Sequence, residues 1–159
     1  MLFPMRRLFA IAFTALFQFA PAAPALAQTA GGQPPLPAMQ LQTGLYLIKA
    51  EVANDYGTRM QGLMLREKMA ANDGMLFIFP GRDTQCMWMK NTLLPLSVAF
   101  IDETGTILNI EDMKPQTEDS HCSTKPARYA LEMNQGWFKT KNIKASAKIL
   151  GLDKAGAPR

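Results

Sequence analysis

Residues 72–81 read Asn-Asp-Gly-Met-Leu-Phe-Ile-Phe-Pro-Gly: a turn signal at Asn72-Asp73-Gly74, five apolar residues from Met75 to Phe79, and a stop at Pro80-Gly81. A short apolar run bounded by turn residues on both sides predicts a buried strand. Upstream, residues 45–53 alternate, with Tyr46, Ile48, Ala50 and Val52 on one side and Lys49 and Glu51 on the other, as a half-buried strand requires. Between the two strands, Thr58-Arg59-Met60-Gln61 matches a capping box, so a short helix carrying Met60, Leu63 and Met64 inward is expected. Downstream, residues 86–90 and 96–101 read as further strands, and Asp102-Glu103-Thr104-Gly105 as a hairpin turn into residues 106–111. Residues 112–126 form a polar loop, and 127–134 alternate again, with Tyr129, Leu131 and Met133 opposed to Arg128, Glu132 and Asn134. After the break at Gln135-Gly136 come a short helical turn over 137–142 and a last strand over 147–150. Short strands at this spacing predict a mainly β fold, an antiparallel β-sandwich or barrel-like sheet with one or two short helices.

The chain of 159 residues suits one domain with one core. With 48% hydrophobic and 19% charged residues, neither disorder nor a coiled coil fits. The N-terminus carries Arg6-Arg7, an apolar run from Leu8 to Phe19, and Ala25-Leu26-Ala27 before Gln28. These are the three regions of a secretory signal peptide over residues 1–27, with cleavage between Ala27 and Gln28. The apolar run is too short to cross a hydrocarbon core of about 30 Å, and Pro21 and Pro24 follow it directly. Met5 before the arginine pair, together with the strongly apolar run, favours general secretion over twin-arginine export. The expectation is a periplasmic or secreted protein with no membrane anchor after signal removal. Removing Arg6 and Arg7 from 17 Lys and Arg leaves 15 against 13 Asp and Glu, a net charge too small to imply a nucleic-acid partner. Residues 28–43 begin Pro- and Gly-rich and read as a flexible lead-in, residues 44–152 as the domain, and residues 153–159 as a loose tail.

Three segments carry a resemblance: Arg59-Met60-Gln61-Gly62-Leu63-Met64-Leu65-Arg66, Gly74-Met75-Leu76-Phe77-Ile78-Phe79-Pro80 and Trp88-Met89-Lys90-Asn91-Thr92-Leu93-Leu94-Pro95-Leu96. Phe100-Ile101-Asp102 with Gly105, Met113 with Pro115, and Leu131-Glu132 with Gly136-Trp137 extend it over about residues 45–150. The chain thereby resembles the DUF192 family, also called UPF0127. The resemblance implies a small, mainly β domain, often exported, with no established activity. The chain departs from the family pattern at Ser97, where Asp is usual, at Met87, where an aromatic is usual, and at Ala145-Ser146, where Gly-Asp is usual. Any mechanism that needs a carboxylate at position 97 is weakened accordingly.

Cys86 and Cys122 are the two cysteines, and an even count in an exported chain favours a disulfide over a nucleophilic Cys122 beside His121. Cys86-Met87-Trp88-Met89 and His121 also invite a Cu(I) site through Met87, Met89 and His121, because soft ligands favour that ion, although methionine is equally a core filler. Trp88, Lys90 and Asn91, with Arg59, Arg66 and Glu132, form the candidate polar set. A flat ring beside a fixed cation suits an anionic or sugar-like ligand, while the plain structural alternative is a set of ion pairs and a core tryptophan. One histidine excludes a multi-histidine zinc site, and no phosphate loop or hydrolase elbow appears. The reading is a non-catalytic domain that binds a small ligand or an envelope protein, with no cofactor and no resident metal. The alternatives are an enzyme with a polar cleft around Arg66, Lys90 and Glu132, and the periplasmic Cu(I) binder.

Overall fold

The computed structural model describes residues 32–159, so the leader and its cleavage site at Ala27 and Gln28 lie outside the described residues. The chain forms β1 (Ala38–Thr43), β2 (Tyr46–Ala53), α1 (Tyr56–Gln61), β3 (Asp73–Asp83), β4 (Cys86–Met87), β5 (Leu96–Ile101), β6 (Ile107–Met113), β7 (His121–Cys122), β8 (Ala127–Asn134) and α2 (Trp137–Thr140), then a 3-10 turn over Leu152–Lys154. The fold is mainly β with two short helices, as the strand spacing requires.

Six strands form one sheet in the order β1-β2-β3-β8-β5-β6, and β4 and β7 form a separate ribbon. The sheet is mixed, which corrects the expected antiparallel arrangement. β2 and β3 run parallel because the segment between them, with α1 inside it, is long enough for a crossover. The sheet is also not a closed barrel, since β1 and β6 do not pair. Instead the C-terminal segment reaches both edges: Lys148 bridges Thr106 beside β6, and Leu150 bridges Gln42 on β1.

Alternation along each central strand supplies two cores, one on each face of the sheet. Leu76 and Ile78, Ala99 and Ile101, and Leu131 and Met133 pack with Trp137 and Phe138 on one face. Met75, Phe77 and Phe79, with Leu96, Val98, Phe100 and Ala130, pack with Leu63 and Met89 on the other. All six residues of β5 are therefore buried, which explains why it reads as a continuous apolar run. The fit is tight where β3 meets β8: a Cβ built on Gly74 would lie 2.5 Å from the Glu132 carbonyl oxygen and from Met133 Sδ. Gly105 closes the β5–β6 turn at φ +81, and a Cβ there would meet the Ile149 carbonyl oxygen at 2.6 Å.

Several local expectations are corrected. The helix starts earlier than the Thr58–Gln61 spacing suggests. Asp55 is the N-cap, its carboxylate accepts from Thr58 N at 2.9 Å, and Thr58 closes the box from inside the helix. These hydrogen bonds from Thr58 hold the Asp55 carboxyl below its usual value. Leu63 is buried as expected, whereas Met60 is exposed. Residues 38–43 form a strand rather than lead-in, because Leu41 and Thr43 point inward and the backbone pairs fully with β2. Even ahead of it the chain is held, with Leu36 N donating to Glu51 Oε2 at 2.7 Å and the Gln33 side-chain amide to the Gly62 carbonyl at 2.7 Å. The tail is also docked: Leu152 and Ala155 are buried, and Arg159 N donates to the Asn54 carbonyl at 2.6 Å.

Candidate functional site

On β2, Lys49 and Glu51 share a face with Ala53, which belongs to the Leu63 side of the sheet. The segment following α1 covers that face and leaves a cleft of about 460 Å³ against β2, β3 and the lead-in. Its charged lining is Lys49, Glu51, Arg66, Lys68 and Asp73, set among Leu36, Leu63 and Met69. Arg66 binds Glu51 through both arms, Nη2 to Oε2 at 2.9 Å and Nη1 to Oε1 at 3.3 Å. Glu51 Oε2 also accepts from Leu36 N, so its acceptor sites are largely taken. Arg66 Nε, in contrast, is buried and has no hydrogen-bond partner among the described residues. A second depression of about 540 Å³, lined by Asn109, Asp112, Phe138, Lys139 and Lys144, is shallower and contains none of the sequence-derived candidates.

The six candidate residues do not converge. Arg66 alone among them lines the cleft. Arg59 is structural: its guanidinium donates to the Ile78 carbonyl at 3.1 Å and to Arg159 O at 3.4 Å, tying α1 to β3 and the tail. Trp88 is 40% exposed, with Lys90 Nζ 5.2 Å from its ring centroid, so the expected ring-and-cation pair exists. Lys90 also reaches Glu118 at 3.6 Å, an exposed pair of small energetic weight. Asn91 takes φ 54 and uses its carbonyl to accept from Leu65 N at 2.9 Å, which pins the loop after α1 to the turn after Trp88.

Glu132 is enclosed in the sheet. Register places Glu51, Met75, Glu132 and Val98 side by side on four neighbouring strands, so they share a face. Two strand spacings put Glu132 roughly 10 Å from Glu51, behind Met75. Burial, with 3% of the residue exposed, pushes its carboxyl up to about 8. It does not line the cleft, so the proposed enzyme cluster of Arg66, Lys90 and Glu132 is not assembled.

The two cysteines are joined, and Met87 stands opposite His121 on the same ribbon. Ser97 is buried and donates to Asp112 Oδ1, its direct neighbour across β5 and β6. The same hydroxyl accepts from Gly136 N at 2.8 Å, at the start of α2. Lys49, Glu51, Lys68 and Asp73 were not singled out from the sequence. The alternation that set Lys49 and Glu51 apart from the apolar side of β2 was the available signal.

The DUF192 family model, described as an uncharacterised group, matches residues 39–151. Among solved structures, a Sinorhizobium meliloti protein described as a candidate transcription regulator is 35% identical, covers 76% of this chain and 98% of its own, and superposes with a TM-score of 0.72. A protein of unknown function from Novosphingobium aromaticivorans is 28% identical, covers 82% of this chain and 94% of its own, and superposes with a TM-score of 0.70. No curated protein is significantly similar to this chain.

Proposed function

The chain belongs to the DUF192 family, and from that membership and its cleft we propose a non-catalytic binding domain for a small anionic or sugar-like ligand, acting outside the cytoplasm. One observation carries the reading: Arg66, on the cleft wall, keeps a buried Nε–H without a partner among the described residues. A buried donor left unpaired costs about 1–3 kcal/mol, which a ligand oxygen would recover once the Arg66 side chain shifts to open Nε to the cleft. Lys49 and Lys68 line the same cleft and, with Glu51 paired to Arg66 and only Asp73 opposing them, leave it a net positive lining that favours negative charge. Glu51 is already engaged by Arg66 and Leu36, so it does not compete for a cation.

Two observations support the extracytoplasmic part. The Cys86–Cys122 bridge suits an oxidising compartment, and the leader residues have the pattern of a signal peptide. No helix among the described residues is long and apolar enough to cross a membrane. The helices of this chain do not support a DNA-reading role of the kind the Sinorhizobium protein's description names. The two α-helices among the described residues have 6 and 4 residues, too short for a groove-reading helix of the helix-turn-helix kind.

The test is thermal unfolding of the full chain against acetate, phosphate and sugar acids. A ligand that binds only the native state raises Tm in a saturable way. Arg66→Gln should remove that rise while Arg59→Gln, away from the cleft, keeps it. A flat response to every anion and sugar acid would overturn the reading.

A further inference from the structure

The cleft beside β2 has two kinds of wall. One is apolar and continuous with the interior: Leu63 is buried in the core on that face of the sheet, and Leu36 and Met69 pack against the same core while staying half-exposed. Hydrogen bonds fix this wall next to the ion pair. Arg66 N donates to the Leu63 carbonyl at 3.2 Å, and Leu36 N donates to Glu51 Oε2 at 2.7 Å. The other wall is cationic. Besides Arg66 it carries Lys49 and Lys68, both exposed, and among the described residues neither forms an ion pair. With Arg66 and Glu51 bound to each other, two ammonium groups face one remaining carboxylate, that of Asp73. Among the described residues no aromatic side chain lines the cleft.

From this division we infer that the ligand is a short aliphatic monocarboxylate rather than a sugar acid; the inference rests on the anion-binding role proposed for this cleft. Methylene groups gain by leaving water for a wall of leucine and methionine, and the gain grows with the area covered. Sugar hydroxyls laid against the same wall lose water without finding a partner. The flat ring that suits a sugar, Trp88, is not in the cleft. The carboxylate goes to the cationic wall, where Lys49 and Lys68 offer ammonium donors free of internal partners and Arg66 Nε adds an N–H once its side chain shifts. One ligand carboxylate balances the surplus of two ammonium groups over Asp73, whereas a second would meet no further cation. A volume of about 460 Å³ has room for both the head and the chain.

The experiment follows Tm of the full chain against acetate, butyrate and hexanoate, with gluconate and uncharged hexanamide as controls, and records methyl resonances in the same titrations. Apparent affinity should rise up to about fourfold for each methylene buried, so hexanoate should exceed acetate and gluconate, and hexanamide should give no shift. In the unaltered chain the methyls of Leu36, Leu63 and Met69 should move saturably with hexanoate while those of Leu152, in the core on the opposite face, stay still, which does not depend on any variant folding. Met69→Gln should weaken hexanoate about fourfold or more, and more than it weakens acetate. Anions that raise Tm without a gain along the alkanoate series, or gluconate or hexanamide matching hexanoate, would overturn this inference and leave the anion-binding role standing. Hexanoate that moves none of the three cleft methyls would overturn it as well, and no response to any of the acids would overturn both.

Discussion

Arg66 and Glu51 hold one another in a two-armed ion pair on the cleft wall, with their side chains only 15% and 21% exposed. Glu51 comes from β2 and Arg66 from the segment after α1, so the pair fastens the crossover onto the sheet. Losing one partner leaves the other charge poorly solvated. Arg66→Met should therefore lower stability by about 2 kcal/mol in urea unfolding. Glu51→Gln, which still presents an acceptor to Leu36 N, should cost less. Equal and negligible losses in both variants would show that the pair is not a fastener.

The Cys86–Cys122 bridge closes a loop with a sequence separation of 36. In the chain-entropy model such a loop stabilises the fold by about 4 kcal/mol. Denaturant titration before and after reduction, or of a variant with both cysteines changed to Ser, should show a midpoint lowered accordingly. An unchanged midpoint would mean that β4 and β7 contribute nothing to the cooperative unit.

Ser97 links β5, β6 and α2 through Asp112 and Gly136 N. Ser97→Ala removes two hydrogen bonds made by a buried hydroxyl, but water can reach the exposed Asp112, so the cost should be about 1 kcal/mol. Ser97→Asp should cost more, because a second carboxylate then faces Asp112 directly across the strands. Adding Asp112→Ser to it should recover most of the loss, and a double-mutant cycle measures that coupling. Strict additivity would refute the exchange.

Glu132 has its carboxyl raised to about 8 by burial, against an ordinary 4.5 in the unfolded chain. The native state therefore holds an extra proton between those values, and stability falls as pH rises through that window. The contribution is fully present below about pH 4.5 and lost above about pH 8. Glu132→Gln, which imitates the protonated form, should flatten this slope and raise stability at pH 8.5 by roughly 2 kcal/mol or more. A slope identical to that of the unaltered chain would place the titrating group elsewhere.

The legible elements were those whose signal is local. Residues 96–101 and 127–134 match β5 and β8 as read, because apolar runs and alternation report burial directly. β1 was hidden behind a Pro- and Gly-rich stretch, and its Gln40 and Gln42 speak weakly for a strand. The parallel pairing of β2 and β3 was not readable, since a distant segment decides which strand lies beside which. The same distance effect governs the site. Arg66 stood out as a charge within an apolar motif, but its partner Glu51 depends on how the crossover lies on β2. Glu132 shared a pattern with the polar Arg128 and Asn134, and only the second core layer shows that its face is covered. The Met87–His121 juxtaposition required the ribbon register, which no spacing in the sequence encodes.

The C-terminal stretch that touches both Thr106 and Gln42 also bears on how this protein behaves when crowded. Outer strands normally offer unpaired amides and carbonyls to any neighbour able to add a strand. Here Leu150 exchanges two hydrogen bonds with Gln42, and Ile107 exchanges two with Ser146 and Ala147. Farther along β6, the Asn109 side chain binds the Cys122 carbonyl and Thr124 N. The chain thus covers part of both its outer strands with its own C-terminal stretch, and loss of that stretch would leave amides and carbonyls on both edges open to strand addition by a neighbour.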